Sequence, residues 1–186
     1  IMIKDYFLES IQAKQDFIDR YESDLEEIIQ LTQTVLERGN KILIAGNGGS
    51  AADAQHWAAE FVGRYKMERA SLPAIALSTD TSALTAIGND YGYEVVFSRQ
   101  LEGLGSQGDL FIAISTSGNS QNLIKAIEVA KSKGIQVFGL LGKDGGKMKE
   151  LCDYALVVPS NNTPRVQETH LVIYHTICEE VEKRMF

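Results

Sequence analysis

The sequence predicts a doubly wound α/β domain: a five-stranded parallel sheet covered by helices on both faces, with a long helical extension at the N-terminus. Three observations carry this reading. Residues 3–38 contain no Gly or Pro and repeat apolar side chains at helical spacing. After residue 40 the pattern changes to short apolar runs separated by Gly- and Ser-rich turns and helix-patterned stretches. Those runs are apolar at consecutive positions, which suits strands buried on both faces rather than half-exposed antiparallel ones.

In the extension, Phe7, Ile11, Ile18, Tyr21, Leu25, Ile28 and Val35 recur at threes and fours, with breaks at Lys14 and Thr32. One long helix, or two with a bend, closes at Gly39. The opposite face holds Asp5, Glu9, Asp16, Asp19, Glu22, Glu26 and Glu27. An amphipathic helix of this length covers more than a small sheet, so a helix-mediated oligomer is expected. Strands follow at 41–45, 74–77, 110–114, 136–141 and 154–158, and four of the intervals carry helical patterning. The first strand runs into Gly46-Asn47-Gly48-Gly49-Ser50-Ala51-Ala52-Asp53, where Ser50 and Asp53 are expected to cap the next helix. A last helix over 165–185 is marked by Val166, Ile173, Ile177 and Val181, with Pro164 just before it. The chain thus reads as one domain over 1–186, with 1–39 as oligomerisation helices and 40–186 as the α/β core.

The charge balance narrows the partners. Lys and Arg number 18 against 25 Asp and Glu, a net 18 − 25 = −7, which excludes general coating of nucleic acid. No run approaches the ~20 apolar residues of a membrane span, and Ile1-Met2-Ile3-Lys4 lacks the basic start of a secretion signal, so a cytoplasmic protein is expected. Cys152 and Cys178 stand in apolar surroundings that suit reduced packing residues.

Two loops point to an anionic ligand. Gly46–Ser50 forms a strand-to-helix turn whose backbone N–H groups can hold an anion. Ser115-Thr116-Ser117-Gly118-Asn119-Ser120 places four hydroxyls and a glycine at the mouth of another helix, a pocket for a phosphate monoester. A dinucleotide site would use the first loop and leave the second idle, so no nucleotide cofactor is expected. Gly142-Lys143-Asp144-Gly145-Gly146-Lys147-Met148 lacks the spacing and hydroxyl of a Walker A loop. His56 and Glu60, four apart, share a helix face. On the last helix Gln167, Glu168, His170 and His175 offer further polar groups, with Gln167 and His175 diverging by about 80°. Each of these fits a solvated helical pair as well as a site.

Taken in order, Gly46-Asn47-Gly48-Gly49-Ser50, His56-x-x-x-Glu60, Gly63-Arg64-Tyr65, Gly88-Asn89-Asp90-Tyr91-Gly92, the serine loop, the 142–148 loop and Arg165-x-Gln167-Glu168-x-His170-x-x-x-x-His175 resemble the phosphoheptose isomerases, a family built on the sugar isomerase (SIS) domain. The resemblance spans nearly the whole chain and implies a flavodoxin-like sheet, a cytoplasmic homotetramer, and interconversion of sedoheptulose 7-phosphate and D-glycero-D-manno-heptose 7-phosphate on the way to activated heptose for lipopolysaccharide core or capsule. It further implies sugar-phosphate contacts from Asn47, Gly48, Gly49, Glu60, Asn89, Asp90, Ser115, Thr116, Ser117, Ser120 and Gln167. Glu60 and His175 become base and acid, and one zinc is held at His56, Glu60, Gln167 and His175. Where some relatives carry an acid, this chain has Pro164.

A strand order of 2-1-3-4-5 puts the first and third loops at one crevice. Glu60 lies ten residues past Ser50, about 15 Å along its helix, and the last helix starts three strand spacings away, about 14 Å. Composite sites are therefore expected, with Glu60 or His175 reaching the crevice from a neighbouring subunit. The rival readings are a non-catalytic SIS protein that binds a sugar phosphate or the replication initiator, and a nicotinamide-dependent dehydrogenase with Asp80 at the ribose.

Overall fold

Consecutive buried residues give a sheet that pairs in parallel throughout, in the order β2-β1-β3-β4-β5. A computed structural model describes all residues, 1–186. In chain order the elements are α1 (Ile3–Glu37), β1 (Ile42–Gly46), α2 (Gly49–Val62), β2 (Ala74–Ala76), α3 (Thr81–Tyr91), a 3₁₀ turn (Tyr93–Val95), α4 (Val96–Leu104), β3 (Leu110–Ser115), α5 (Gln121–Ser132), β4 (Gln136–Gly142), α6 (Met148–Leu151), β5 (Tyr154–Val158) and α7 (Thr163–Met185). Every residue of β1 and β3 is buried, as the run of apolar side chains requires. All five expected strands are present, and the interval between β4 and β5 holds only the single turn of α6.

The chain leaves β1 toward β2 and then returns past β1 to β3, so successive crossovers fall on opposite faces. On one face α1, α7 and α2 pack in a row, α1 against β5 and α2 against β1 and β2. On the other, α4 packs on α5, and α5 on β3 and β4. Register sets Gly46 beside Ile114, so β1 and β3 end side by side and open a crevice there.

α1 is one unbroken helix. The break in its stripe at Thr32 is absorbed because the buried Thr32 hydroxyl donates to the Ile28 carbonyl at 2.8 Å. Gly39, with φ +81°, ends it. The stripe does not form one surface, however. Phe17, Tyr21, Leu25, Ile28 and Val35 are buried in the chain's own core, while Ile3, Phe7 and Ile11 stay exposed. Only this N-terminal part and Ile18 leave apolar surface for another partner. α7 begins at Thr163, so Pro164 sits inside its first turn, where its missing N–H costs nothing. No helix is long and apolar enough to cross a membrane. Both cysteines are free thiols, and burial pushes Cys152 up to about 12 and Cys178 further.

The start of α2 differs from expectation. Its cap is Gly48, at φ +57°, and no side chain closes it. Ser50 lies inside the first turn, buried beneath Gly46, where a side chain on Gly46 would collide with it. Asp53 instead turns toward α7.

The serine loop is braced from below by the 142–148 loop. Met148 N–H donates to the Gly118 carbonyl at 2.9 Å, and Lys147 N–H to Asn119 Oδ1 at 2.9 Å. Gly118, at φ +68°, lies flat on the Gly145 carbonyl, so a Cβ there has no room. Gly118→Ala should lower stability by at least about 2 kcal/mol, from backbone strain and overlap together. Gly48→Ala, at φ +57° and ψ −121° with no neighbouring atom in the way, should cost the backbone strain alone, about 1–3 kcal/mol and less than Gly118→Ala. Urea unfolding midpoints of the two variants check the difference.

Candidate active site

Two clusters occupy opposite ends of α2. At its N-terminus, the turn after β1 and the serine loop after β3 face the crevice. Ser115, buried at the end of β3, holds the loop: its hydroxyl accepts the Gly118 N–H at 3.0 Å and lies 3.0 Å from Ser120 Oγ. Ser117 Oγ accepts the Asn119 N–H at 3.2 Å. Ser120 starts α5 without a side-chain cap, and Gly48 starts α2 without one; Ser50, Ala51 and Leu123 N–H already bond to Asn47, Gly48 and Ser120 carbonyls, so the N–H groups open to a ligand in the crevice are those of Gly48, Gly49, Gln121 and Asn122. Thr116 and Ser117 are half-buried at the rim.

Asn47 is fixed by groups that sequence reasoning missed. Its amide and that of buried Asn122 bond reciprocally at 3.0 and 2.9 Å, and Tyr93 Oη donates to Asn47 Oδ1 at 2.9 Å. These residues, with Glu94, Ser120 and Gln121, line a hollow of about 300 Å³. Gln167, one turn into α7, places its amide against Gly49, where a side chain would overlap it. Gln167 therefore belongs to the crevice. Asn89 and Asp90 stand exposed at the end of α3 and bond each other at 3.0 Å, with no bond to any other candidate residue.

The second cluster is at the other end. Glu60 Oε2 lies 3.6 Å from His175 Nε2 and 3.9 Å from His56 Nε2, and the imidazole rings meet edge to face at 5.1 Å. The expected split of Glu60 and His175 between subunits is thus overturned: they meet within one chain. Counting strand spacings failed because α7 does not stay over β5; its 23 residues cross β4 and pack on α2. Burial, reinforced by the charge of His56, holds His175 below the ordinary histidine value against the pull of Glu60. His170 plays no part here. It is fully buried, bonds the Leu141 carbonyl through Nε2 at 2.8 Å, and burial lowers it to about 4.

The donor atoms of His56, Glu60 and His175 all lie within 4.8 Å of one another. His175 Nε2 is buried without a hydrogen-bond partner, so it is open to a ligand shared with Glu60 and His56. Two imidazoles and a carboxylate match a three-ligand zinc site with an open fourth position. Gln167 is eight residues from His175 on a straight helix, about 12 Å, so one chain does not bring all four expected ligands together.

A buried ion pair sets this geometry. Arg69 and Glu182 side chains, each 2% exposed, meet at 2.8 Å. Glu182 also accepts the N–H groups of Tyr65, Lys66 and Met67, and Arg69 donates to the carbonyls of Glu60, Phe61 and Gly63. The end of α2 is thereby tied to α7, and Tyr65 is laid beside the His175 ring at 5.5 Å.

A parallel sheet in the order β2-β1-β3-β4-β5, with two Gly- and Ser-rich loops at its switch point and a carboxylate–imidazole cluster at the far end of α2, defines a doubly wound α/β domain with an enzyme-like polar site. Residues 5–142 match the SIS domain. The chain is 58% identical over 179 residues to a phosphoheptose isomerase of Aliarcobacter butzleri, covering 96% of this chain and 95% of that one. Its fold superposes on the phosphoheptose isomerase of Neisseria gonorrhoeae with a TM-score of 0.92, at 44% identity and 97% coverage of each chain. The corresponding protein of Francisella tularensis gives 0.94 at 36% identity, covering 97% of this chain and 96% of that one. The chain belongs to the phosphoheptose isomerase family and is a sugar-phosphate isomerase of the aldose–ketose type.

Removing one partner of the buried pair leaves the other charge stranded, so Arg69→Ala should cost about 3–5 kcal/mol in urea unfolding. Backbone N–H groups and Arg69 together outweigh burial and hold Glu182 below its ordinary value in the folded chain. A lowered folded value means that this stabilisation is complete above the unfolded value of about 4.3 and is lost as pH falls through the folded one. Glu182→Gln should flatten that acid limb of the stability curve.

Proposed function

We propose that the protein interconverts sedoheptulose 7-phosphate and D-glycero-D-manno-heptose 7-phosphate, the first step toward activated heptose for lipopolysaccharide core or capsule. The observation that carries this reading is the meeting of Glu60 and His175 at 3.6 Å, a base and an acid poised for proton transfer. The crevice side is read as the substrate grip. First-turn amides at Gly48 and Gly49 and the hydroxyls of Ser115, Thr116, Ser117 and Ser120 take the phosphate, while Asn47 and Gln167 meet the sugar and Asn89 and Asp90 add contacts from the end of α3.

In the ketose-to-aldose direction Glu60 removes a proton from C1, leaving an enediol. The proton held by Glu60 returns to C2 while His175 gives a proton to the C2 oxygen and takes one from the C1 hydroxyl, so that C2 becomes an alcohol and C1 the aldehyde. His175, neutral because burial disfavours its cation, can take or give that proton near pH 7. His56, Glu60 and His175 would hold zinc, with Gln167 as the fourth ligand of the family pattern only if a second copy supplies it. When bound, zinc polarises the sugar carbonyl and steadies the developing negative charge on its oxygen.

Ser50 and Glu60 are ten residues, about 15 Å, apart along α2, so a phosphate in one crevice meets a Glu60–His175 pair most simply when that intact pair comes from a neighbouring copy. A cytoplasmic homotetramer with such composite sites is the assembly proposed, and the exposed apolar part of α1 supports it. The chain over 1–186 is read as one SIS domain, with 1–39 serving assembly. A non-catalytic binding protein has no need of the carboxylate–imidazole pair.

Turnover of sedoheptulose 7-phosphate in deuterated water, followed by NMR, should give aldose carrying deuterium at C2. Absence of turnover with and without added zinc would favour the binding protein instead. Glu60→Gln and His175→Gln should each lower kcat by about 10²–10⁴ with little change in KM. Ser117→Asp should raise KM sharply by repelling the phosphate dianion, with kcat less affected.

A further inference from the structure

Behind the triad lie two groups that proton transfer to the sugar does not use. Tyr174 Oη is 3.1 Å from Asp53 Oδ1 and 3.0 Å from His56 Nδ1. Its ring is fully buried and stacked on Trp57 at 5.2 Å and 15°, so the phenol is fixed and only its hydrogen can turn. Asp53 Oδ2 is buried without a partner, which leaves Tyr174 as the side chain that satisfies this carboxylate. Asp53 and His56 stand three residues apart on α2, and Tyr174 precedes His175 on α7, so the same helix pairing that builds the triad builds this chain of bonds.

The hydrogen count decides its direction. A phenol has one hydrogen to give, a carboxylate can only accept, and a neutral imidazole carries its proton on one nitrogen. Tyr174 gives its hydrogen to Asp53 and so must accept one from His56, which places the proton on Nδ1. The lone pair is then on His56 Nε2, the atom that faces Glu60 Oε2 at 3.9 Å. With the opposite tautomer an N–H would point at that carboxylate and occupy the ligating position.

We propose that Asp53, acting through Tyr174, holds His56 as its Nδ1–H tautomer and keeps the Nε2 lone pair turned into the triad. Asp53 and Tyr174 are thus positioning residues for a metal-ligating imidazole. The consequence for metal binding rests on the zinc reading above, whereas the tautomer rests only on the three bonded groups.

The test uses metal-free protein labelled with ¹⁵N-histidine at about pH 8, where imidazoles are neutral. Long-range ¹H–¹⁵N spectra should show His56 protonated at Nδ1. Asp53→Ala frees the Tyr174 hydrogen to turn to Nδ1, so His56 should switch to Nε2–H. Tyr174→Phe keeps the stacked ring and should leave a mixture of tautomers; if it folds poorly by circular dichroism, Asp53→Ala, at a half-buried position, carries the test alone. Zinc affinity, measured by competition with a chromophoric chelator, should fall about 10–100-fold in both variants. Wild-type His56 protonated at Nε2, or an Asp53→Ala variant with its tautomer unchanged, overturns the proposal. Wild-type protein that fails to bind zinc removes the metal reading, and the tautomer spectra still decide this one.

Discussion

The Arg69–Glu182 pair is the interaction on which the meeting of Glu60 and His175 depends. It joins α7 to the segment leaving α2, and every hydrogen bond it makes bears on where Glu60 and His175 stand. Arg69 caps the carbonyls at the end of α2, including that of Glu60 itself, and Glu182 gathers three successive N–H groups of residues 65–67. Desolvating two charges is costly, and an apolar pair of equal volume is often no less stable. Direction is what an apolar pair lacks. A guanidinium and a carboxylate fix the angle between two helices and an irregular segment, which a carboxylate–imidazole contact at 3.6 Å requires.

The same helix pairing divides the work along α2. Its N-terminal end, opened by Gly48 and faced by Gln167, offers amides and hydroxyls with no formal charge, suited to a phosphate that must bind and leave. Its C-terminal end collects the titratable groups, ten residues of helix away from the crevice. Each end has its own bracing. Asn122 and Tyr93 hold Asn47 at the crevice, and Tyr174 holds His56 at the triad. At the triad, Tyr174 meets the His175 ring edge to face at 5.2 Å and is itself backed by Trp57, and burial holds His175 below the ordinary histidine value.

Much of this was legible in the sequence because it is local. Consecutive apolar residues mark strands buried on both faces, and all five lie where the runs place them. The glycine turn and the serine loop were readable as facing one crevice from the expected strand order, and His56 and Glu60 share a face by spacing alone. What was not legible is non-local. Arg69 and Glu182 are 113 residues apart, Asp53 and Tyr174 are 121 apart, and Asn47 and Asn122 are 75 apart, with no period to link them. The cap of α2 was misplaced because a left-handed Gly48 can open a helix with no side chain to announce it. The separation of Glu60 from His175 was overestimated because sheet order fixes where α7 begins, not the direction in which it crosses. Apolar periodicity in α1 likewise could not divide Leu25, buried at home, from Phe7, left exposed.

On the proposed reading, phosphate binding and proton transfer sit at opposite ends of α2, and an intact Glu60–His175 pair completes the crevice of a neighbouring copy. A crystal structure of the assembled protein with sedoheptulose 7-phosphate checks this arrangement. Phosphate is expected against the 115–120 loop, with the sugar's C1 and C2 within reach of a Glu60 carboxylate whose own chain also supplies the adjacent His175. Phosphate bound away from that loop, or sugar carbons remote from every Glu60 in the assembly, would contradict it.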